Sequence, residues 1–220
     1  MRKVLGVLMN GVLTVCAVIV TGLVIRQEFF KPAASAETSA PTTVPNWRAY
    51  AQGGHRSGPE NAPVTMVVFS DFQCPACRLL AAHVKALRTE FPEQLAIIHR
   101  HSPLSMHPFA IEAARASECA AQQDRFSAFH DALFIDQADI GLAPWNRFAV
   151  NAGVPDVRAF DGCMAAGAPS QTLHADTMAA SELKVSGTPT LLINDLRFTG
   201  TPPLDTLRAV IARAAVPPAE

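Results

Sequence analysis

The sequence has no excess of charge of either sign: 18 Lys and Arg side chains oppose 19 Asp and Glu side chains, for a formal net charge of -1. Proteins that bind nucleic acid normally present a strongly basic surface. The densest basic stretch here, HRH at 99–101, is short and lies in an apolar context. We therefore expect no nucleic-acid partner. With 220 residues, 49% of them hydrophobic, the chain is long enough to bury a core, which excludes a disordered tail.

Charge is absent from the 22 residues between Val4 and Ile25. A run of this length is sufficient to cross a bilayer as a helix, whereas the apolar regions of signal peptides usually span about 7 to 15 residues. Ala34-Ser35-Ala36 offers a small-x-small cleavage pattern, but it begins nine residues beyond the run. We therefore favour a retained membrane anchor at residues 1–30, with a cleaved signal as the alternative.

The basic residues before this run, Arg2 and Lys3, should stay in the cytoplasm by the positive-inside tendency. The bulk of the chain is then exported to the periplasm or cell exterior, as part of a single-pass protein of the inner, cytoplasmic membrane. Residues 31–52 are rich in Pro, Ala, Ser and Thr and lack apolar periodicity, which is typical of a flexible tether. Because no dimerisation segment precedes the domain at 53–220, we expect a monomer.

Cysteine is scarce, with five residues in the chain. Cys16 lies inside the apolar run, where a thiol behaves as a small hydrophobe. The other four, Cys74, Cys77, Cys119 and Cys163, fall in the part predicted to be exported. Disulfides persist in that environment, so these residues are candidates for redox or structural roles.

The order of apolar segments predicts an α/β fold in which a block of helices interrupts a small sheet. An apolar run from Ala62 and the stretch at 95–101 are predicted as buried strands, separated by a helix that begins at the close cysteine pair. Such a unit is a right-handed parallel crossover. The Ala-rich stretch from about 103 to 184 predicts four or five helices. Two strands joined by a turn at Asn194-Asp195, and a closing helix, follow.

The spacing of Cys74 and Cys77 is compatible with half of a zinc site, a structural clip or a redox dithiol. Zinc usually takes four ligands, commonly from two close pairs, and no second pair exists. The seven histidines show no metal-ligand spacing near the cysteines, so we expect ordinary surface or capped residues. A disulfide across a two-residue loop contributes little stability. The redox interpretation is therefore favoured.

This interpretation has a physical cause. Cys74 follows a strand and begins a helix, where free backbone N–H groups and the helix dipole stabilise a thiolate. Pro75 suits the first helical position because its missing N–H has no partner to lose there. We predict Cys74 as the nucleophile and Cys77, one turn further in, as the resolving thiol. Pro75 and Ala76, which lie between them, should tune the redox potential.

These segments resemble the DsbA-like branch of the thioredoxin superfamily. The resemblance rests on SDFQCPACR at 70–78 and VSGTPTLLIN at 185–194, and it extends from about Gly53 to Arg213. It implies a thioredoxin-like fold with a helical insertion, thiol:disulfide oxidoreductase activity and no cofactor. It also implies a cis-proline at Pro189, in agreement with the special role that a proline needs at the start of an inner strand. Thr188 would line the face where a peptide docks as an added strand.

The resemblance has two further implications. Some members carry a second disulfide at the positions of Cys119 and Cys163, and closing that loop of about 45 residues would contribute about 3 to 4 kcal/mol. Relatives commonly carry a buried acid six residues before the first cysteine, where this chain has Val68. Asp71 is the nearby acid and could act in proton transfer or simply cap the helix, which leaves the proton acceptor open.

The motif does not decide the direction of the reaction. Ala76 stands where the most oxidising relatives carry an imidazole, which predicts a weaker oxidant. We expect the protein to oxidise reduced or unfolded exported proteins and to be reoxidised by a membrane partner. The alternatives are a membrane-tethered reductase or isomerase, and a binding module. Such a module would be a chaperone for unfolded chains, or a copper carrier that takes a further ligand from HSPLSMH at 101–107.

Overall fold

A computed structural model describes residues 40–167 and 170–216. Its strands are β1 (Thr42–Thr43), β2 (His55–Ser57), β3 (Val64–Ser70), β4 (Leu95–His101), β5 (Thr190–Ile193) and β6 (Leu196–Thr199). Its α-helices are α1 (Trp47–Tyr50), α2 (Pro75–Glu90), α3 (Ala110–Ala121), α4 (Phe126–Ile135), α5 (Trp145–Asn151), α6 (Val157–Ala166), α7 (Gln171–Glu182) and α8 (Leu204–Ala214). A 3-10 turn spans Gln137–Asp139.

The six strands form one mixed sheet in the order β1-β6-β5-β3-β4-β2. Strands β3 and β4 are parallel and are joined through α2, as the crossover prediction requires. Strand β5 returns antiparallel to β3, and β6 follows it after the two-residue turn at Asn194-Asp195. Asn194 has a φ of 48°, which asparagine tolerates better than most residues. The prediction of a thioredoxin-like α/β fold is confirmed.

Both faces of the central strands are buried, because helices cover each side of the sheet. All residues of β3 and β4 are buried. Val64, Met66 and Val68 face one side and pack with apolar residues of α2 and α8. Val67 and Phe69 alternate with them and pack on the other side with α1 and α7. This two-sided burial explains the nearly continuous apolar runs in the sequence.

The helical insertion predicted for about residues 103–184 is present between β4 and β5 and comprises α3 to α7 within the described residues. Its centre contains the fully buried Phe129, Phe148 and Phe160. Cys119 of α3 and Cys163 of α6 form a disulfide with their Cα atoms 5.8 Å apart. The disulfide therefore joins two helices of the insertion to each other.

The N-terminal segment departs from the sequence prediction. A flexible tether was expected through residue 52, but Thr42–Thr43 pair with β6 and Trp47–Tyr50 form a short helix. The physical reason is burial: Tyr50 is 8% exposed and its ring packs edge-on against Phe69. No helix within 40–167 and 170–216 is long and apolar enough to span a membrane. The anchor predicted at residues 1–30 lies outside the described residues.

A buried ion pair connects this segment to the sheet and the insertion. Arg100 Nε of β4 lies 2.6 Å from Asp176 Oδ1 of α7. The two groups form an ion pair, but the N–H···O geometry between these atoms is not that of a hydrogen bond. Arg100 also donates to the carbonyls of Tyr50 and Gln52, and the other Asp176 oxygen accepts the backbone N–H of His101. Burial raises the pKa of Asp176, and the neighbouring N–H and guanidinium oppose that rise. The pair therefore depends on both partners being present.

Replacing Arg100 by methionine should destabilise the protein severely, because it leaves the Asp176 carboxylate buried without its counter-ion. We expect a loss of about 3 to 5 kcal/mol in the free energy of unfolding, measured by urea denaturation. Arg208→Met is the matched control, since Arg208 pairs with Glu90 on the surface, and it should cost less than about 1 kcal/mol. Equal losses in the two variants would contradict the assignment.

Candidate active site

Cys74 lies at the point where the chain leaves the sheet and enters α2. It is the N-cap residue, with an extended φ of -75° and ψ of 120°, and Pro75 is the first helical residue. The carbonyl of Cys74 accepts the N–H groups of Cys77 and Arg78, which begin the helix. The side chain of Cys74 makes no capping hydrogen bond. The sulfur lies at the start of the helix, where the backbone N–H groups of the first turn are exposed to it.

The loop before the helix is fixed by a residue that the sequence analysis missed. Gln137, in the 3-10 turn of the insertion, donates from Nε2 to the carbonyls of Phe72 and Cys74, at 2.8 and 3.0 Å. Gln137 is 63 residues from Cys74 in sequence, and no motif links the two. A single glutamine gives no sequence signal of this contact, which arises only when the insertion folds over the active-site loop.

The loop before β5 closes the other side of Cys74. The Thr188–Pro189 peptide bond is cis. Cys74 Sγ lies 3.3 Å from the carbonyl oxygen of Thr188, to which the protonated thiol donates. The Thr188 hydroxyl is buried and has no hydrogen-bond partner. The structure thus brings together Cys74, Cys77, Thr188 and Pro189, the four residues that the sequence analysis placed at the reacting centre.

The surroundings of Cys74 lower the pKa of its thiol to about 5. The hydrogen bond with the Cys77 side chain has the largest effect, and burial of the sulfur opposes it. The Thr188 side chain and the backbone N–H groups of Cys77 and Ala76 lower the pKa further. Hydrogen bonds donated to a thiolate favour the charged form, so Cys74 is ionised at neutral pH.

Cys77 has the opposite character. It is 1% exposed, and burial, followed by the hydrogen bond with Cys74, raises the pKa of its thiol far above the ordinary value. The backbone N–H of Asp71 points to Cys77 Sγ at 3.5 Å and opposes part of this rise. Both cysteines are reduced rather than joined as a disulfide. The pair therefore consists of a ready nucleophile and a protonated, inaccessible partner.

Val68 occupies the position at which relatives commonly carry a buried acid. It is paired in register with His99 across β3 and β4. Val68, His99 and Cys77 line a pocket of about 60 Å³ beneath α2 and α4. His99 Nε2 is buried without a hydrogen-bond partner, and burial holds the pKa of His99 well below its usual range. The expectation that this histidine is an ordinary surface or capped residue is wrong, because β4 is covered on both faces.

Asp71 joins two loops through its side-chain hydrogen bonds. Its Oδ1 accepts the N–H of Gln73 at 2.7 Å, and its Oδ2 accepts the N–H of Leu104 and Nδ1 of His107, each at 2.8 Å. The side chain thus fixes the turn before α2 to the loop that follows β4. It does not cap α2, whose N-cap residue is Cys74.

The stretch at 101–107 places neither of its histidines in a metal-binding group with the active-site cysteines. His107 is bonded to Asp71, His101 is bonded to Glu118, and the Met106 side chain is 78% exposed. Among the described residues, one group of three His, Cys, Asp or Glu side chains has metal-binding spacing: His55, His101 and Glu118. This group includes neither active-site cysteine.

The fold and the cysteine pair define a class of protein: thioredoxin-fold proteins that exchange thiols and disulfides through a dithiol at a helix N-terminus. A family model described as thioredoxin matches residues 51–213. The chain belongs to the thioredoxin family, as the resemblance in its sequence predicted, and it shares the fold of solved DsbA-like proteins.

Two solved structures illustrate this similarity. The thiol-disulfide exchange protein alpha-DsbA2 from Wolbachia pipientis superposes with a TM-score of 0.64 at 22% identity, over 76% of this chain and 91% of that one. A thioredoxin-like oxidoreductase from Silicibacter pomeroyi superposes with a TM-score of 0.63 at 25% identity, over 78% of this chain and 98% of that one. Both comparisons cover nearly the whole of the solved chain, so the shared fold includes the helical insertion.

The curated relatives are longer proteins. The Na(+)/H(+) antiporter NhaA 1 of Mycolicibacterium gilvum is 37% identical over 150 residues, which is 66% of this chain and 24% of the antiporter. The chain therefore spans about a quarter of the length of the curated relatives it matches.

The pKa of Cys74 can be measured from the rate of its alkylation by iodoacetamide as a function of pH. Because the folded environment stabilises the thiolate, the rate should rise with a midpoint near pH 5 and be level at neutral pH. Peptide mass spectrometry separates Cys74 from the other thiols, and Cys77 should remain unmodified. In denaturant the midpoint should return to about 8.5. A native midpoint near that value would contradict the proposed stabilisation.

Thr188→Val tests the buried Thr188 hydroxyl, which has no hydrogen-bond partner beside the thiol and is free to donate to the Cys74 thiolate. Loss of one donor to a charged group should raise the pKa of Cys74 by about 1 to 2 units, since such a bond contributes about 1.5 to 3 kcal/mol. The control is Thr201→Val, which removes a hydroxyl that donates to the Ala76 carbonyl and not to the sulfur. The same alkylation assay should show no shift for the control. Equal shifts in both variants would exclude a specific role for Thr188.

Proposed function

We propose that the protein is an exported thiol:disulfide oxidoreductase that introduces disulfides into secreted proteins through its Cys-Pro-Ala-Cys pair. The observation that carries this proposal is the opposite ionisation of the two thiols. Cys74 has a pKa of about 5, whereas burial keeps Cys77 protonated. Such a difference suits one sulfur to exchange with an outside partner while the other closes or opens the internal disulfide.

The low pKa of Cys74 also supports the oxidising direction. Hydrogen bonds to the thiolate stabilise the reduced protein relative to its disulfide, which makes the disulfide a better oxidant. The stabilising donors are the Cys77 side chain, Thr188 and backbone N–H groups, including that of Ala76. Ala76 supplies no side-chain donor. We therefore still expect a weaker oxidant than the relatives that carry an imidazole at this position. Pro75 contributes by starting the helix that presents these N–H groups.

The exchange proceeds in two balanced steps. A substrate thiolate attacks Cys74 in the Cys74–Cys77 disulfide, and Cys77 leaves with the electron pair and takes up a proton. A second thiolate of the substrate then attacks the substrate sulfur that is bonded to Cys74 in the mixed disulfide. This forms the substrate disulfide and releases the Cys74 thiolate. The substrate loses two electrons and the dithiol gains them. A low pKa makes Cys74 a good leaving group in the second step.

The surface around Cys74 is suited to an extended, reduced polypeptide. The cis bond at Thr188–Pro189 lies directly beside the sulfur, where a peptide can add backbone hydrogen bonds to the loop before β5. Phe109 is held near the active-site loop because its N–H donates to the Gln73 side chain, and both it and Met106 are exposed. Exposed apolar side chains at this place favour unfolded clients over folded ones.

Residues 1–30 complete the proposal as an anchor in the inner membrane, with the catalytic domain in the periplasm or at the cell exterior. A membrane redox partner would reoxidise the dithiol after each cycle, and the protein would act as a monomer without a cofactor. The proposal does not extend to ion transport, because the chain spans only about a quarter of the antiporter relatives.

Equilibration with glutathione buffers tests the direction of the reaction. A disulfide oxidant should show a potential between about -120 and -180 mV, whereas a value near -270 mV would identify a reductase instead. Cys77→Ser, first converted by oxidised glutathione to its Cys74–glutathione disulfide, should exchange glutathione for a client with a single thiol and accumulate the Cys74–client disulfide, since the resolving thiol is absent. Cys74→Ser should lose exchange altogether. Activity that survives Cys74→Ser would replace the enzyme proposal with a binding module.

A further inference from the structure

Three polar side chains from separate elements meet under the helical insertion. His101 lies in β4, His55 lies in the edge strand β2, and Glu118 lies in α3. The alternation of β4 puts His99 and His101 on one face of the sheet, and the antiparallel register sets His55 opposite His99. Helix α3 covers this face and brings Glu118 to it.

The three side chains converge on one point. His55 Nε2 lies 2.5 Å from Glu118 Oε1, and His101 Nε2 lies 2.8 Å from the same oxygen. The three candidate ligand atoms all lie within 4.8 Å of one another. The cluster therefore presents a carboxylate and two imidazole nitrogens together.

Neighbouring groups hold the side chains of His55 and Glu118 and the backbone of His101 in place. The His55 ring stacks on Phe126 with centroids 3.5 Å apart. The backbone N–H of His101 donates to Asp176, and Ser170 Oγ donates to the second oxygen of Glu118 at 3.1 Å. Partners that orient a ligand side chain are a regular feature of metal sites.

We propose that His55, His101 and Glu118 bind a divalent first-row transition-metal ion, with Zn²⁺ the best match to two imidazole nitrogens and one carboxylate oxygen. Zinc takes these ligands at about 2.0 to 2.2 Å in roughly tetrahedral geometry, which places ligand atoms about 3.3 Å apart. The present spacings of 2.5 and 2.8 Å would need to open by less than about 1 Å. The ion would replace the N–H protons that now bridge to the carboxylate.

The fourth coordination position, which the three protein ligands leave open, faces a cavity large enough for water. His55, Glu118 and Ser170 line a cavity of about 410 Å³, which also borders the Cys119–Cys163 disulfide. Arg115 lines the same cavity, and its guanidinium donates to the Met164 carbonyl. A water or a small anion could therefore complete the coordination sphere. The ion would bind the edge strand to α3 and so brace the insertion against the sheet.

The test uses the full-length chain, oxidised so that Cys74 and Cys77 form a disulfide and alkylated at any remaining thiol. Titration with Co²⁺ should give one equivalent of bound metal with visible bands of nitrogen and oxygen coordination and no thiolate charge-transfer band. Zn²⁺ should displace the cobalt. It should also raise the melting temperature, because it binds only the folded state.

Matched variants identify the ligands. Glu118→Gln and His55→Gln should each weaken Zn²⁺ affinity by at least about 100-fold, the upper end for residues that only orient a ligand. The control is His174→Gln, at an exposed histidine of α7, which should bind zinc as the wild type does. His55 lies in an edge strand, so its variant remains informative if Glu118→Gln fails to fold. Absence of metal binding below millimolar concentrations, or equal affinity in His55→Gln and His174→Gln, would leave a hydrogen-bond cluster only and overturn the proposal.

Discussion

Hydrogen-bond donors converge on the Cys74 sulfur, and the arrangement of the surrounding elements makes that convergence possible. The sulfur lies at the first turn of α2, where backbone N–H groups have no helical partner. Strand β5 runs antiparallel to β3 and brings Thr188 to the other side of the same sulfur. Neither segment alone makes the site, because Thr188, whose carbonyl accepts the Cys74 thiol, is 114 residues from the start of α2. The chemistry of the site thus depends on the sheet that joins them.

The helical insertion contributes more than a cover for the sheet. It excludes water from Cys77, which is why that thiol stays protonated beside an ionised neighbour. Gln137 of the insertion also fixes the backbone on the strand side of Cys74. Folding the insertion over β4 buries polar groups such as His99, His101 and Arg100, and burial of polar groups is costly unless they are paired. Arg100 is paired with Asp176 and His101 with Glu118, whereas His99 Nε2 is left without a hydrogen-bond partner.

Local patterns were sufficient for the elements that carry the site, and insufficient for contacts between distant segments. The strand, the cysteine pair and the start of α2 were predictable because Pro75 and the apolar periodicity act over a few residues. The predicted tether extended too far along the chain, because the sequence does not reveal that Tyr50 is buried against Phe69. His99 was misjudged for the same reason. A His-x-His pattern in a strand indicates a shared face, but not what will cover it.

The amino-acid sequence alone determined which sulfur begins a helix, where the strands and the insertion lie, and hence the thioredoxin class. These properties follow from short-range rules of capping, periodicity and turn formation. Tertiary structure decided the ionisation of Cys74, the burial of Cys77, and the meeting of His55, His101 and Glu118. Each of these depends on atoms brought within a few ångströms from remote parts of the chain, and electrostatic and hydrogen-bond energies fall steeply with distance.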